Sequence, residues 1–169
     1  GDWLLWVDAD MQWDHNAIPA LLASADADTR PIVGGLCFGQ GDAGLWPTLY
    51  GFSRADDGGV DFYRYKAYPA DSMFQVGATG AAFMLIHRTV LETMRDKGFN
   101  RTFPWFQETD FNGRVMGEDI TFCIRAGLLG IPVHVHTGVK IGHHKSVLLT
   151  EDEFLKQLPP REKEKPADD

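Results

Sequence analysis

The chain has 169 residues, enough for one domain with its own core, and its 44% hydrophobic and 24% charged residues are those of a soluble globular protein. A net charge of −8 excludes attachment to nucleic acid or to an anionic membrane by bulk charge, so either partner would need a local basic patch. Cys37 and Cys123 are too few for a disulfide framework, and both stand in apolar contexts. They are predicted to be buried thiols in a reducing compartment, with the cytoplasm as the expected location. No apolar run approaches the ~20 residues of a membrane span, and the first residues lack the basic start of a signal peptide.

Trp3-Leu4-Leu5-Trp6-Val7 is apolar without alternation, the pattern of a strand buried on both faces in a parallel sheet covered by helices. It runs straight into Asp8-Ala9-Asp10. Open α/β sheets bind ligands beyond the C-terminal ends of their strands, and Asp is rarely buried unless paired or coordinated. The two aspartates therefore either hold a hard divalent cation shared with phosphate oxygens, or end the strand and start a turn. A strand of this kind needs neighbours on both sides, yet the chain enters it almost at once and without an initiator Met. The expectation is a larger domain whose N-terminal part precedes Gly1.

Met11 to His15 reads as a loop, followed by a helix with Asn16 as N-cap and Pro19 in the first turn. Ile18, Leu21, Leu22 and Ala25 share its apolar face. Pro31 to Phe38 is a second apolar strand. Gly39 to Asp61 reads as a loop with one edge strand and a turn at Asp56–Gly59, and Phe62 to Tyr68 as another edge strand. The small residues from Val76 to Gly80 make a loop that could approach a ligand closely, or a plain tight turn, ahead of a strand at Ala82–Ile86. A helix with Val90, Leu91 and Met94 inward ends at Gly98, and a long loop runs from Phe103 to Gly117. The next helix starts at Glu118 and carries Ile120, Cys123, Ile124 and Leu128 on its apolar face. Ile131 to Ile141 alternates cleanly, which places His134 and His136 on a solvated face, His143 inward with Ile141, and His144 outward. Residues 1–150 form the domain and 151–169 an extension, with a disordered charged tail from about 159.

Glu118 and Asp119 stand where the helix dipole and unpaired N–H groups favour carboxylates, so capping and catalysis are both open. His143 is either a metal or carboxylate partner or a structural residue. Trp46, Tyr50, Trp105 and Phe106 fall in loops, where they either stack on a sugar or base or anchor the loop.

The order of these pieces resembles the GT-A glycosyltransferases, and most closely the bacterial and phage members related to family 2. The likeness rests on a strand ending Asp8-Ala9-Asp10, a Gly-rich loop before Phe83-Met84-Leu85-Ile86, Pro104-Trp105-Phe106, Gly117-Glu118-Asp119, and Gly142-His143. It spans Trp3 to about Lys145, with Gly117 to His143 the most specific stretch. The resemblance implies a three-layer α/β/α sandwich with a mixed sheet, N-terminally truncated, whose missing strands would hold the nucleotide base. It implies that Asp8 and Asp10 bind Mn2+ or Mg2+ and the donor diphosphate, with Asp10 a direct metal ligand and His143 completing the metal site. Asp119 is implied as the base that takes the acceptor hydroxyl's proton, with Glu118 beside it. Thr79 and Gly80 would line the sugar pocket, and Trp105 would lie near the acceptor. The loop here reads Gly77-Ala78-Thr79-Gly80, a departure from the usual three-residue form.

The implied activity is transfer of a sugar from a nucleotide-diphosphate donor to a hydroxyl of a glycan, protein or other acceptor, with inversion. The acidic charge weighs against a nucleic-acid acceptor. Two other readings stand beside it: a non-catalytic sugar- or nucleotide-binding module or inactive fragment, and a haloacid-dehalogenase-type phosphatase. The latter pattern wants Thr or Val two residues after the second Asp, where this chain has Gln12.

Overall fold

A computed structural model describes residues 1–41, 44–54, 60–97, 102–111, 114–145 and 148–157. In chain order these form β1 (Trp3–Val7), β2 (Met11–Gln12), α1 (Ala17–Ser24), β3 (Ile32–Leu36), β4 (Phe38–Gly41), β5 (Gly44–Pro47) and β6 (Leu49–Arg54). There follow β7 (Val60–Arg64), β8 (Met73–Val76), β9 (Ala78–Thr79), β10 (Phe83–His87), α2 (Arg88–Lys97), β11 (Thr109–Phe111) and β12 (Arg114–Met116). The last elements are α3 (Glu118–Leu128), β13 (Val133–Lys140), β14 (Gly142–His144), β15 (Leu148–Leu149) and α4 (Glu151–Gln157).

The main sheet has the order β1-β10-β3-β13-β8, with β3 and β13 parallel and the other pairs antiparallel. Period-2 geometry splits its side chains between two cores. Ile32, Leu36, Met84 and Ile86 face one side, where Val90 and Met94 of α2 and Phe122, Cys123 and Ala126 of α3 cover them. Val33, Phe83 and Leu85 face the other, covered by Ala17 and Leu21 of α1. The chain is thus a mixed α/β fold with helices on both faces of a mixed sheet. Both cysteines are buried and unpaired, as their apolar contexts predict. Among the described residues no helix is long and apolar enough to cross a membrane.

β13 keeps the predicted alternation of burial, but its two halves serve different cores. A register shift between His136 and Lys140 separates Val133 and Val135, which face the α2–α3 side, from Val139 and Ile141, which face α1. His143 still shares the inward parity of Ile141, and His144 is exposed. His134 departs from the expected solvated face. It lies on a strand paired on both sides, its Nδ1 is buried without a hydrogen-bond partner among the described residues, and burial, aided by the charge of Arg30, holds its pKa below the ordinary value. His136 turns its Nδ1 onto the Gly138 N–H at 3.1 Å.

Several expectations change. β1 is an edge strand among the described residues, antiparallel to β10, rather than a central parallel strand buried on both faces. Trp3, Leu5 and Val7 pack on the α1-side core, whereas Leu4 and Trp6 remain 43% and 42% exposed. The Gly-rich stretch after Phe38 holds the hairpin β4–β5 and the pair β6–β7 rather than a loop with one strand. Its glycines are cross-strand partners of aromatic rings: Gly39 faces Trp46 and Gly51 faces Tyr63, and a Cβ on either would come within 3 Å of the ring. The second long loop contains the hairpin β11–β12. Leu22 and Leu128, expected on buried helix faces, are 47% and 70% exposed. The turn at Asp56–Gly59, the helix end at Gly98 and the tail from 158 lie outside the described residues. Residues 151–157 pack on the domain, where Phe154 is buried 5.3 Å from the Phe38 ring and the side-chain Oε1 of Gln157 accepts the Leu45 N–H.

Gly35 tests this packing. A Cβ there would sit 2.7 Å from Cγ1 of the buried Ile141 and 3.3 Å from the Phe83 ring. Ile141 is β-branched and stiff, so Gly35→Ala is expected to cost about 1–3 kcal/mol through overpacking. Urea titration should show a lowered midpoint with an unchanged m-value.

Candidate functional site

A cleft of about 330 Å³ opens at the ends of β1 and β3 and the start of α3. It gathers Asp8, Glu118, Asp119 and His143, which lie more than a hundred residues apart at the extremes of the chain. Trp6 and Phe106 form its aromatic wall, and Gly39, Gly80 and Ala81 leave room in front of the acids. A larger cavity of about 460 Å³ behind α3 is lined by residues such as Phe52, Val76, Ile124 and Ile131 and holds no carboxylate, so size alone does not mark the chemistry.

The turn after β1 sets the first acids. The Asp8 N–H donates to the Ala82 carbonyl at 3.0 Å, continuing the β1–β10 pairing, and the Met11 N–H closes back on the Asp8 carbonyl. The Asp8 carboxylate accepts the Trp6 indole N–H at 3.3 Å. β2 then pairs with β14, and the His144 N–H reaches the Asp10 carbonyl at 2.8 Å. That pairing carries His143 to Asp10, with Nε2 3.1 Å from Oδ2. The same oxygen accepts the Lys145 ammonium at 3.2 Å, and this bond is the chief reason the Asp10 carboxyl lies below its ordinary pKa.

The other nitrogen of His143, Nδ1, lies 3.1 Å from the Phe38 carbonyl. A carbonyl can only accept, so Nδ1 carries the proton. In the neutral ring Nε2 then presents a lone pair toward a carboxylate oxygen. Two acceptors at that distance need a cation between them, either a proton or a metal ion. An imidazole whose far N–H is held by a backbone carbonyl is the usual arrangement of a metal-ligating histidine. Among the described residues no group of three His, Cys, Asp or Glu side chains converges to hold a metal. Asp10 and His143 are thus a pair that could hold a metal ion together, and a proton on Nε2 would join them equally well.

Asp119 lies in the first turn of α3, where Gly117 is the N-cap and offers no side chain. Its Oδ1 accepts the Ile120 N–H at 2.7 Å, and a Cβ added to Gly80 would be 3.5 Å from its Oδ2. Burial raises its pKa above the ordinary 3.8, opposed by the Ile120 and Ala81 N–H groups and reinforced by the charge of Glu118. Glu118 itself is exposed. The Cys37 thiol also lines the cleft, but burial, with the Asp8 charge, pushes its pKa up to about 12, so it is no nucleophile near neutral pH.

Two residues implied by the resemblance lie off the cleft surface. Thr79 is fully buried, with its Oγ1 unpartnered among the described residues and its methyl against Gly34. Trp105 donates its indole N–H to the Leu91 carbonyl at 2.9 Å, which fastens it to α2. Its neighbour Phe106 faces the cleft instead, stacked between Trp6 at 4.9 Å and Phe122 at 4.5 Å. Trp46 and Tyr50 bond to each other, Trp46 Nε1 to the Tyr50 hydroxyl at 3.2 Å, within the β4–β7 region.

Trp6, Lys145 and Arg125 were not singled out by sequence patterns. Arg125 is buried, and its guanidinium donates to the Phe103 and Trp105 carbonyls at 2.9 and 3.0 Å and to Gln107 Oε1 at 3.3 Å. Its signal was an arginine among the apolar positions of an amphipathic helix, which requires nearby acceptors. The chain matches no protein-family model and no curated protein. Among solved structures, the crystal structure of A197 from STIV is similar, at 17% identity and a TM-score of 0.49, over 90% of this chain and 63% of that one. This chain thus spans less than two-thirds of the length of A197.

Arg125→Met keeps the length of the side chain but removes these donors. It is expected to cost about 1–3 kcal/mol by removing the charged hydrogen bonds that hold the segment 103–107 to α3. Hydrogen exchange should rise in 102–108 while the amides of β3 and β10 stay protected; unchanged exchange in that loop would remove Arg125 from its support.

Proposed function

We propose that this chain carries the site of a metal-dependent GT-A glycosyltransferase, which moves a sugar from a nucleotide-diphosphate donor to a hydroxyl of a glycan, protein or other acceptor, with inversion. The reading is supported by one observation: His143, its Nδ1 held by the Phe38 carbonyl, turns its Nε2 to within 3.1 Å of Asp10 Oδ2 beside a cleft that holds a partly buried acid, Asp119. The sheet with helices on both faces agrees with that fold.

Asp10 and His143 would hold Mn2+ or Mg2+, with Asp8 next to them on the donor side. The carboxylate oxygen is the donor that suits either of these ions. When bound, the ion offsets the charge that develops on the departing diphosphate. Asp119 takes the proton of the acceptor hydroxyl, and its raised pKa makes it a better base than an ordinary carboxylate. Glu118 beside it keeps the local potential negative and favours the protonated product of that step. Trp6 and Phe106 give the sugar ring an apolar face, and Gly80 keeps the wall before Asp119 low. Thr79 contributes by packing behind Gly80, and Trp105 by anchoring the segment that presents Phe106.

Asp119→Asn is expected to lower kcat by about 10²–10⁴-fold, the usual worth of a general base. In the unsubstituted protein the acid limb of the kcat profile should lie above the ordinary carboxylate value of 3.8. Stability should move the other way. A carboxyl whose folded pKa is raised costs nothing below its unfolded value and progressively destabilises as pH rises toward the folded one. Asp119→Asn should therefore raise Tm at neutral pH, and the gain should vanish near pH 3.

Metal dependence is testable without knowing the sugar. Mn2+ together with a nucleoside diphosphate should raise the Tm of the full-length protein by mass action, and Asp10→Asn should abolish the Mn2+-dependent part. No shift with any of the common nucleoside diphosphates would reject the transferase reading. A shift without sugar transfer would leave a binding module.

A further inference from the structure

The charges around Asp10 pose a problem that the metal pair alone does not solve. The cleft is lined by three carboxylates, Asp8, Glu118 and Asp119, with His143, and among its described lining residues there is no lysine or arginine. A diphosphate entering it meets a field of its own sign. Lys145 lies two residues beyond His143 and is bonded to Asp10 Oδ2 at 3.2 Å. That oxygen is the one His143 also faces, at 3.1 Å. A metal ion held by Asp10 and His143 would compete with Lys145 for that oxygen.

We propose that Lys145 is a stand-in cation: it neutralises Asp10 while the metal is away, is displaced when the metal binds, and then pairs with the diphosphate of the donor. The inference rests on the reading of Asp10 and His143 as the metal pair. An ammonium suits this exchange because it is a compact point charge on a flexible stem with three rotatable donors. Half of the Lys145 side chain is exposed, so it can swing without unpacking the core. Asp10 is itself 43% exposed, which keeps the ion pair weak enough to be displaced. The exchange also orders binding, because the ammonium is released toward phosphate only after the metal has taken its place.

The test measures binding, with no turnover. Mn2+ is titrated alone by electron paramagnetic resonance, and inorganic pyrophosphate is titrated calorimetrically in the presence of Mn2+, on the full-length protein and its Lys145→Met and Lys145→Arg variants. Lys145→Met should bind Mn2+ about two- to fivefold more tightly, the range set by loss of an exposed ion pair. It should bind pyrophosphate about tenfold more weakly, as expected for loss of a charged hydrogen bond. Lys145→Arg should stay near the parent in both. If Lys145→Met leaves either affinity unchanged, Lys145 is only a surface partner of Asp10 and the inference falls, while the metal pair stands. If the parent protein takes up no Mn2+, the metal pair falls and the inference with it.

Discussion

Ile141 lies across Gly35, and the geometry of the cleft depends on that contact. There is no room for even a methyl group between them, since a Cβ on Gly35 would come 2.7 Å from Ile141. The Ile141 N–H donates to the Leu36 carbonyl at 2.9 Å, so the chain leaving β13 is fixed in both height and direction. The next residue opens β14, which pairs with β2 and sets His143 opposite Met11. An imidazole and a carboxylate 133 residues apart in sequence are thereby brought to 3.1 Å. A close-packed interior transmits small displacements instead of absorbing them, so the separation of the two donors is a property of the core.

Two aspartates, one beside the cleft and one lining it, differ in environment. Asp10 stays half exposed beside Lys145 and His143, which hold it ionised. Asp119 is desolvated, sits next to Glu118, and is pushed toward its protonated form. Two carboxylates moved in opposite directions are suited to two roles, a permanent anion and a proton acceptor. The fold carries the second at a cost to stability, which the packing of the sheet between two helical layers must offset.

What was legible in the sequence follows from which forces are local. The end of β1 at Asp8, β3, β10, the inward face of α2 and the alternation along β13 all rest on short-range periodicity, and they appear where the pattern puts them. The inward turn of His143 was legible for the same reason. Features set by distant partners were not. Trp6 made β1 look buried on both faces, but its outward ring serves the cleft by stacking on Phe106, a residue a hundred positions away. The hairpin glycines read as loop because the rings that cover them, Trp46 and Tyr63, lie on another strand. His134 looked solvated because the burial of its face, beside the charge of Arg30, comes from distant parts of the chain. Arg125 has its acceptors in a segment some twenty residues earlier, which no local pattern connects to α3.

Capping is the simplest account of an acid in the first turn of a helix, and it explains only part of Asp119. A cap needs nothing beyond the helix's own unpaired N–H groups, and the Ile120 N–H meets that need at 2.7 Å. The Ala81 N–H, in the segment between β9 and β10, also favours its ionised form. Those N–H groups orient the acid without supplying a full countercharge, and among the described lining residues no lysine or arginine does so either. A group kept for structure alone would gain by exchange for asparagine, which can accept the same backbone bonds without carrying a buried charge. An acid held in that state, with no side chain at Gly80 to cover its second oxygen, has the environment that the proposed role of proton acceptor requires.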